Sequence, residues 1–342
     1  MTEKTLMRSE IEEIPVAAAR FLQCGRAEIA AAADAMRTAD PSLLVTVARG
    51  SSDHAATYLK YAVELAAGVP VASVGPSVAS IYRRQLRLPH AVCVGISQSG
   101  RSPDIVQMMQ SARAGGALTL AITNVADAPM ALACDHTLAL HAGVENSVAA
   151  TKTFVTSVLA SLALLAEWRR DADLIAAVAR LPEALEQALA CDWTPLADRL
   201  QDAASLYVLG RGPGFAIANE MALKFKETCG IHAESYSAAE VLHGPSAIVQ
   251  VRFPVLVLGV GDAALPQIAM TAERLAAQGA DVFLTTGNVA GATGLPSVAG
   301  LHPLVAPLVL IVSFYSCIEA LARRRGCNPD TPPHLRKVTQ TL

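Results

Sequence analysis

Leu43-Leu44-Val45-Thr46-Val47-Ala48-Arg49-Gly50-Ser51-Ser52-Asp53-His54 and Val92-Cys93-Val94-Gly95-Ile96-Ser97-Gln98-Ser99-Gly100-Arg101-Ser102 share one plan. Each opens on an apolar run of strand length, passes through glycine and serine, and runs on into a helix-like stretch. An unbroken apolar run marks a strand buried on both faces, as in a parallel sheet. Where such a strand meets a helix, free backbone N–H groups and small hydroxyls gather beside the positive helix end and cradle an anion. Two such cradles at one sheet edge point to a small phosphorylated ligand. The plainer alternative is a pair of ordinary strand-to-helix loops.

Outward from these loops, residues 8–40 read as helical and are broken near Asp40-Pro41. The spacing predicts strands over 43–48, 69–74, 91–96, 117–122 and 136–140, and helices over 53–67, 103–114 and 151–169. An amphipathic stretch, 174–189, links this half to a second one. There the pattern repeats. Ser205-Leu206-Tyr207-Val208-Leu209-Gly210-Arg211-Gly212 matches residues 44–50, and Val255-Leu256-Val257-Leu258-Gly259 matches 92–96. Helix 267–278 and Asp281-Val282-Phe283-Leu284 repeat the helix and strand of 107–122. Alternating strands and helices of this kind build two parallel-sheet α/β units. Gly259-Val260-Gly261-Asp262 stands where the first half has Ser97-Gln98-Ser99-Gly100, so the hydroxyls are lost. The first half is therefore expected to bind phosphate and the second to do something else. The expected division is an N-terminal helical segment (1–40), a first domain (41–172), a linking helix (173–195), a second domain (196–326) and a C-terminal loop (327–342).

Composition narrows the partners. The 342 residues are 52% hydrophobic, 17% charged and 4% aromatic, enough for a sizeable core and unlike a disordered chain. A net charge of -3 with no basic run argues against nucleic acid and anionic membrane. Seven scattered cysteines without a Cys-x-x-Cys pair fit a reduced cytoplasmic protein, with neither disulfide frame nor zinc site. The N-terminus lacks a signal-peptide core. The longest apolar stretch, Leu304 to Leu321, holds Pro307, Ser313, Ser316 and Glu319, and reads as a buried core helix rather than a membrane span. In Gly210-Arg211-Gly212-Pro213-Gly214 the third glycine of a dinucleotide fingerprint falls on Phe215, and the histidines show no metal-ligand spacing. No cofactor and no metal are expected.

Three segments carry chemistry. In Asn219-Glu220-Met221-Ala222-Leu223-Lys224-Phe225-Lys226-Glu227-Thr228, Lys224 and Glu227 share a helix face. In an arbitrary helix this is an ordinary surface pair. In Leu242-His243-Gly244-Pro245 a sharp turn can hold the imidazole at a pocket mouth. The tail, Asn328-Pro329-Asp330-Thr331-Pro332-Pro333-His334-Leu335-Arg336-Lys337-Val338-Thr339, can fold back over a site, with Leu335 packing to hold the Lys337 ammonium inward.

These motifs resemble the sugar isomerase (SIS) family. They are Gly50-Ser51-Ser52, Ile96 to Gly100, Val144-Glu145-Asn146-Ser147-Val148-Ala149-Ala150-Thr151-Lys152, Ala222 to Glu227, Ile231-His232-Ala233-Glu234 and Leu242 to Pro245. Specifically, they resemble the isomerase portion of glucosamine-6-phosphate synthase and stand-alone glucosamine-6-phosphate deaminases, in motif order from about residue 40 onward. The resemblance implies two tandem flavodoxin-like SIS domains. It implies that Ser51, Ser52, Ser97, Gln98, Ser99 and Ser102 bind the sugar phosphate and that Ala150 contacts the sugar. Glu227 would move a proton between C1 and C2. His243 would assist ring opening, donated across a homodimer interface, and Lys224 would polarise the open chain. Lys337 matches a tail lysine able to form an imine with a ketose phosphate. Arg101 stands where an acidic residue is common. The residue types suit such chemistry: a carboxylate takes and returns a proton, and imidazole shuttles one near neutral pH.

The synthase-type nucleophile, a cysteine at the processed N-terminus, is replaced here by Thr2. Deamination is therefore the expected direction: glucosamine 6-phosphate and water to fructose 6-phosphate and ammonia. The alternatives are a deglycase of fructosamine-type sugar 6-phosphates and a non-catalytic sugar-phosphate sensor.

Overall fold

In the computed structural model, which describes residues 4–337, α1 (Leu6–Glu12), α2 (Ile14–Cys24) and α3 (Arg26–Ala39) open the chain. The stretch 8–40 that reads as helical is built as three helices. Gly25 makes the second break, since a Cβ there would sit 3.0 Å from the Phe21 carbonyl oxygen. Strands β1 (Leu43–Val47), β2 (Val71–Ser73), β3 (Ala91–Ile96), β4 (Leu118–Thr123) and β5 (His136–Ala139) then form a parallel sheet ordered β2-β1-β3-β4-β5. Helices α4 (Ser51–Ala67), α5 (Ser77–Ser80), α6 (Pro103–Ala114), α7 (Pro129–Ala133), α8 (Lys152–Arg169) and α9 (Ala172–Ala179) belong to the same half. All six residues of β3 are buried, which is why that stretch reads as an unbroken apolar run.

Next come α10 (Leu181–Leu189) and α11 (Thr194–Leu200). The expected linking helix over 174–189 is interrupted at Arg180, and Pro182, which lacks a backbone N–H, sits in the first turn of α10. The second sheet contains β6 (Ser205–Gly210), β7 (His232–Ser237), β8 (Pro254–Val257), β9 (Asp281–Leu284) and β10 (Ala292–Gly294). Its order, β7-β6-β8-β9-β10, repeats that of the first, again all parallel. This is the flavodoxin-like order. Helices α12 (Pro213–Cys229), α13 (Leu265–Ala277) and α14 (Ala306–Arg324) complete the half. The repeat reaches single dihedrals: Gly50 before α4 has φ 55, ψ -135, and Gly212 before α12 has φ 56, ψ -134. Helix α14 is long and apolar enough to cross a membrane, but most of it is buried in this fold as a core helix.

The chain divides into two compact units. The first holds Ile14–Glu145, Lys152–Pro182 and the tail from Arg336; the second holds the residues up to Glu13, Asn146–Thr151 and Glu183–Leu335. The core of the first includes Cys93, Ile105, Met108 and Met109, and that of the second Leu209, Val257, Ile268 and Leu284. Burial pushes the thiols of Cys93, Cys134, Cys229 and Cys317 up to about 12, so each stays neutral and unreactive.

Within the second unit a clasp joins segments distant in sequence. The Asp330 carboxylate accepts from the Leu6 N–H at 2.9 Å and the Met7 N–H at 2.8 Å, capping α1. The Asp330 carbonyl accepts from the Val148 N–H at 3.0 Å. Glu10, on α1, accepts from the Asn146 N–H and from the Ser147 N–H and hydroxyl.

Candidate active site

In the first unit β1 and β3 are neighbours, with Val47 beside Gly95, so their carboxyl ends deliver both cradle loops to one edge. Ser51 and Ser52 open α4, and Ser102 stands at the N-cap position of α6, with no side-chain capping bond, ahead of Pro103 in the first turn. Ser97 is buried, and its Oγ accepts from the Gly100 N–H at 3.2 Å; Ser99 Oγ accepts from the Arg101 N–H at 3.3 Å. Gln98 is anchored through its backbone, its carbonyl accepting from the Asn124 N–H at 3.0 Å. Gly100 has φ +60, and a Cβ there would lie 2.6 Å from the Ala128 Cβ, so the tight loop requires glycine. The predicted serines and Gln98 thus come together.

A brace missed in the sequence ties the two loops. Arg49, at the end of β1, donates through Nε (2.8 Å) and Nη2 (2.7 Å) to Asp104 Oδ2 at the start of α6. The Asp104 side chain is fully buried. Arg followed by Gly-Ser-Ser and Asp two residues after Ser102 was the available signal.

The first unit also holds Lys337. Its Nζ donates to Glu145 Oε2 at 2.8 Å. Leu335, expected from sequence to pack and hold the ammonium, is 43% exposed, and the Lys337 ammonium is paired with a buried carboxylate. Residues 338–342 of the expected C-terminal loop lie outside the described residues.

In the second unit α12 carries the charged face. Lys224 is fully buried, with Nζ 2.5 Å from Glu227 Oε2 and 3.2 Å from Glu220 Oε1. Tyr315 of α14 donates its hydroxyl to Glu220 at 3.3 Å. Burial works against the Lys224 charge, but the Glu220 and Glu227 carboxylates more than offset it and raise the pKa, so the ammonium persists. Lys224 is therefore a fixed cation rather than an amine available for addition. Glu227 keeps a 20% exposed side chain, the open end of this buried row. Glu220 was readable four residues before Lys224 on the same face. Ala150, half-buried, lies in the Asn146–Thr151 segment of this unit.

His243 ends a 3₁₀ turn, Glu240–His243, followed by Gly244 at φ +140. The residue is exposed, and its ring has no hydrogen-bond or ion-pair partner among the described residues. It makes no bond to Lys224 or Glu227. Its turn is pinned from below: Tyr207 on β6 donates its hydroxyl to the Pro245 carbonyl at 3.0 Å. The Tyr207 ring is in turn set edge-on against Tyr236 and Phe253. No group of three or more His, Cys, Asp or Glu side chains fit to hold a metal occurs among the described residues.

A duplicated parallel sheet whose first copy carries a hydroxyl-lined cradle defines an α/β protein of sugar isomerase type. The SIS domain model matches residues 39–167 and 199–323, and the chain belongs to that family. Glutamine–fructose-6-phosphate aminotransferase (isomerizing) of Zymomonas mobilis is 32% identical over 356 aligned residues, covering 97% of this chain and 58% of that protein. The chain thus spans a little over half the length of this curated relative. A crystal structure from Silicibacter pomeroyi, provisionally described as a phosphosugar isomerase, is 54% identical with TM-score 0.93, covering 96% of this chain and all of that one. The C-terminal domain of glucosamine-fructose-6-phosphate aminotransferase from Francisella tularensis is 25% identical with TM-score 0.85, covering 96% and 99%.

Proposed function

We propose that this protein is a phosphosugar isomerase that releases an amine, converting glucosamine 6-phosphate and water to fructose 6-phosphate and ammonia. The observation that carries the reading is the buried Glu220–Lys224–Glu227 row with Glu227 at its open end. A 1,2-proton shift needs a carboxylate able to take a proton from one carbon and return it to the next, beside a cation that steadies the enediolate charge. The hydroxyl cradle of the first unit would hold the phosphate, so that binding energy far from the reacting carbons orients them. Ser51, Ser52, Ser97, Gln98, Ser99 and Ser102 are its donors, with Ala150 as a sugar contact. His243 would move a proton between ring oxygen and hydroxyl, and its exposed ring suits donation across a cytoplasmic homodimer. Lys337 would meet the open-chain carbonyl. The fructose 6-phosphate in the names of the aminotransferases above favours this reading over a sensor.

The test is ammonia and ketose release from a panel of amino-sugar 6-phosphates and fructosamine 6-phosphates. Turnover of glucosamine 6-phosphate above the others is expected. Turnover of fructosamine adducts alone would make the protein a deglycase. Tight binding of sugar phosphates without turnover of any would make it a sensor.

A further inference from the structure

We infer that Glu145 is the positioning residue for the tail lysine: its buried carboxylate fixes the Lys337 ammonium against the wall of the first unit. What that lysine is held for rests on the reading above; that it is held rests on geometry alone. Glu145 lies between β5 and α8, and its side chain is fully buried. A carboxylate taken out of water must find donors. Thr153, in the first turn of α8, supplies two: its N–H donates to Oε1 at 3.1 Å and its hydroxyl to Oε2 at 2.7 Å. The positive end of α8, an 18-residue helix, favours the same charge. A helix-capping role is thereby satisfied without a lysine.

Yet Oε2 also receives the Lys337 Nζ, which arrives from 192 positions away at the end of the described chain. The lysine side chain is three-quarters buried to make this contact, with 25% exposure remaining. A long flexible side chain gives up rotamer freedom there, which a solvated tail lysine would keep. The approach is stiffened by Pro332-Pro333, since each ring fixes its own φ. Glu145 thus gives the tail a charged anchor, while Leu335 is 43% exposed. A nitrogen meant to meet a sugar carbonyl gains most when its position is set beforehand.

Two roles separate experimentally. Glu145→Gln keeps the shape and one oxygen for the Thr153 N–H, lets the Thr153 hydroxyl accept from the new amide N–H, and removes the negative charge that Lys337 meets. Without any substrate, the rate at which an amine-acylating reagent labels Lys337, read by mass spectrometry, is expected to rise about tenfold, while the melting temperature stays within about 2 °C. With substrate, Glu145→Gln should lower kcat/KM by about 10- to 100-fold in the parent, the coupling range of groups in one network. In a Lys337→Met background it should change little more. An unchanged labelling rate overturns the inference, as does an equal loss in both backgrounds, which would mark a purely structural cap. If the parent turns over no sugar phosphate, the functional reading fails and the labelling experiment alone decides Glu145.

Discussion

Lys224 cannot shed its charge and cannot leave, because two carboxylates on its own helix and full burial hold it between them. That fixes where Glu227 stands: it is paired with a buried cation, yet its exposed edge keeps it open to a ligand. Replacing Glu227 with Gln keeps the shape and removes the base. Turnover should fall by about 10²–10⁴-fold while phosphate-ligand binding persists. Steady-state kinetics alongside calorimetry checks this, and retention of a tenth of kcat would exclude Glu227 as the proton carrier. Lys224→Met should act differently. It strands Glu220 in the interior, a loss of about 3–5 kcal/mol in stability by urea unfolding. Because the folded pKa of Lys224 is raised, its contribution is complete below the ordinary 10.5 and is lost only as pH rises through the higher folded value. Near neutral pH the contribution of Lys224 is therefore fully present, and the parent's stability should not vary with pH through this lysine.

At the scale of elements, the cradle is built from loop geometry more than from any one side chain. Ser52→Ala and Ser99→Ala should each raise KM for a phosphorylated sugar more than they lower kcat, since a hydroxyl on a charged oxygen is worth about 1.5–3 kcal/mol. Equal use of the sugar with and without its phosphate by the parent would remove the cradle from the account. Elements bounded by strong local signals were legible in the sequence: β3 at 91–96 and α6 at 103–114 match to the residue, between serine, proline and glycine markers. Helix breaks were not, because alanine-rich runs on either side of Gly25 and Arg180 share the same periodicity. The site shows the same division. Glu220 and the serine loops are local patterns. Glu145 is illegible because its meaning depends on a lysine 192 positions away, and the Arg49–Asp104 brace needs β1 beside β3 before it can be seen.

For the whole molecule, duplication has divided the work. Both sheets keep one strand order and one glycine geometry, but the cradle hydroxyls survive only in the first unit and the Lys224–Glu227 face lies only in the second. If His243 is lent between protomers, His243→Ala and Ser99→Ala chains, each inactive alone, should recover activity when exchanged into one dimer. A verified heterodimer with no recovery would mean that each chain builds its own site.

The Asp330 clasp has a consequence for mechanics. The first described amides would ordinarily fray and exchange with solvent within seconds, as chain ends do. Held by Asp330, the Leu6 and Met7 amides should instead exchange at rates approaching those of α14 in deuterium exchange, and Asp330→Ala should release them. A pull on the start of α1 would be borne by the Thr5–Glu319 hydrogen bond and by Asp330, and through Asp330 it would reach the segment around residue 330. Tension at α1 would thereby be felt 324 positions further along the chain.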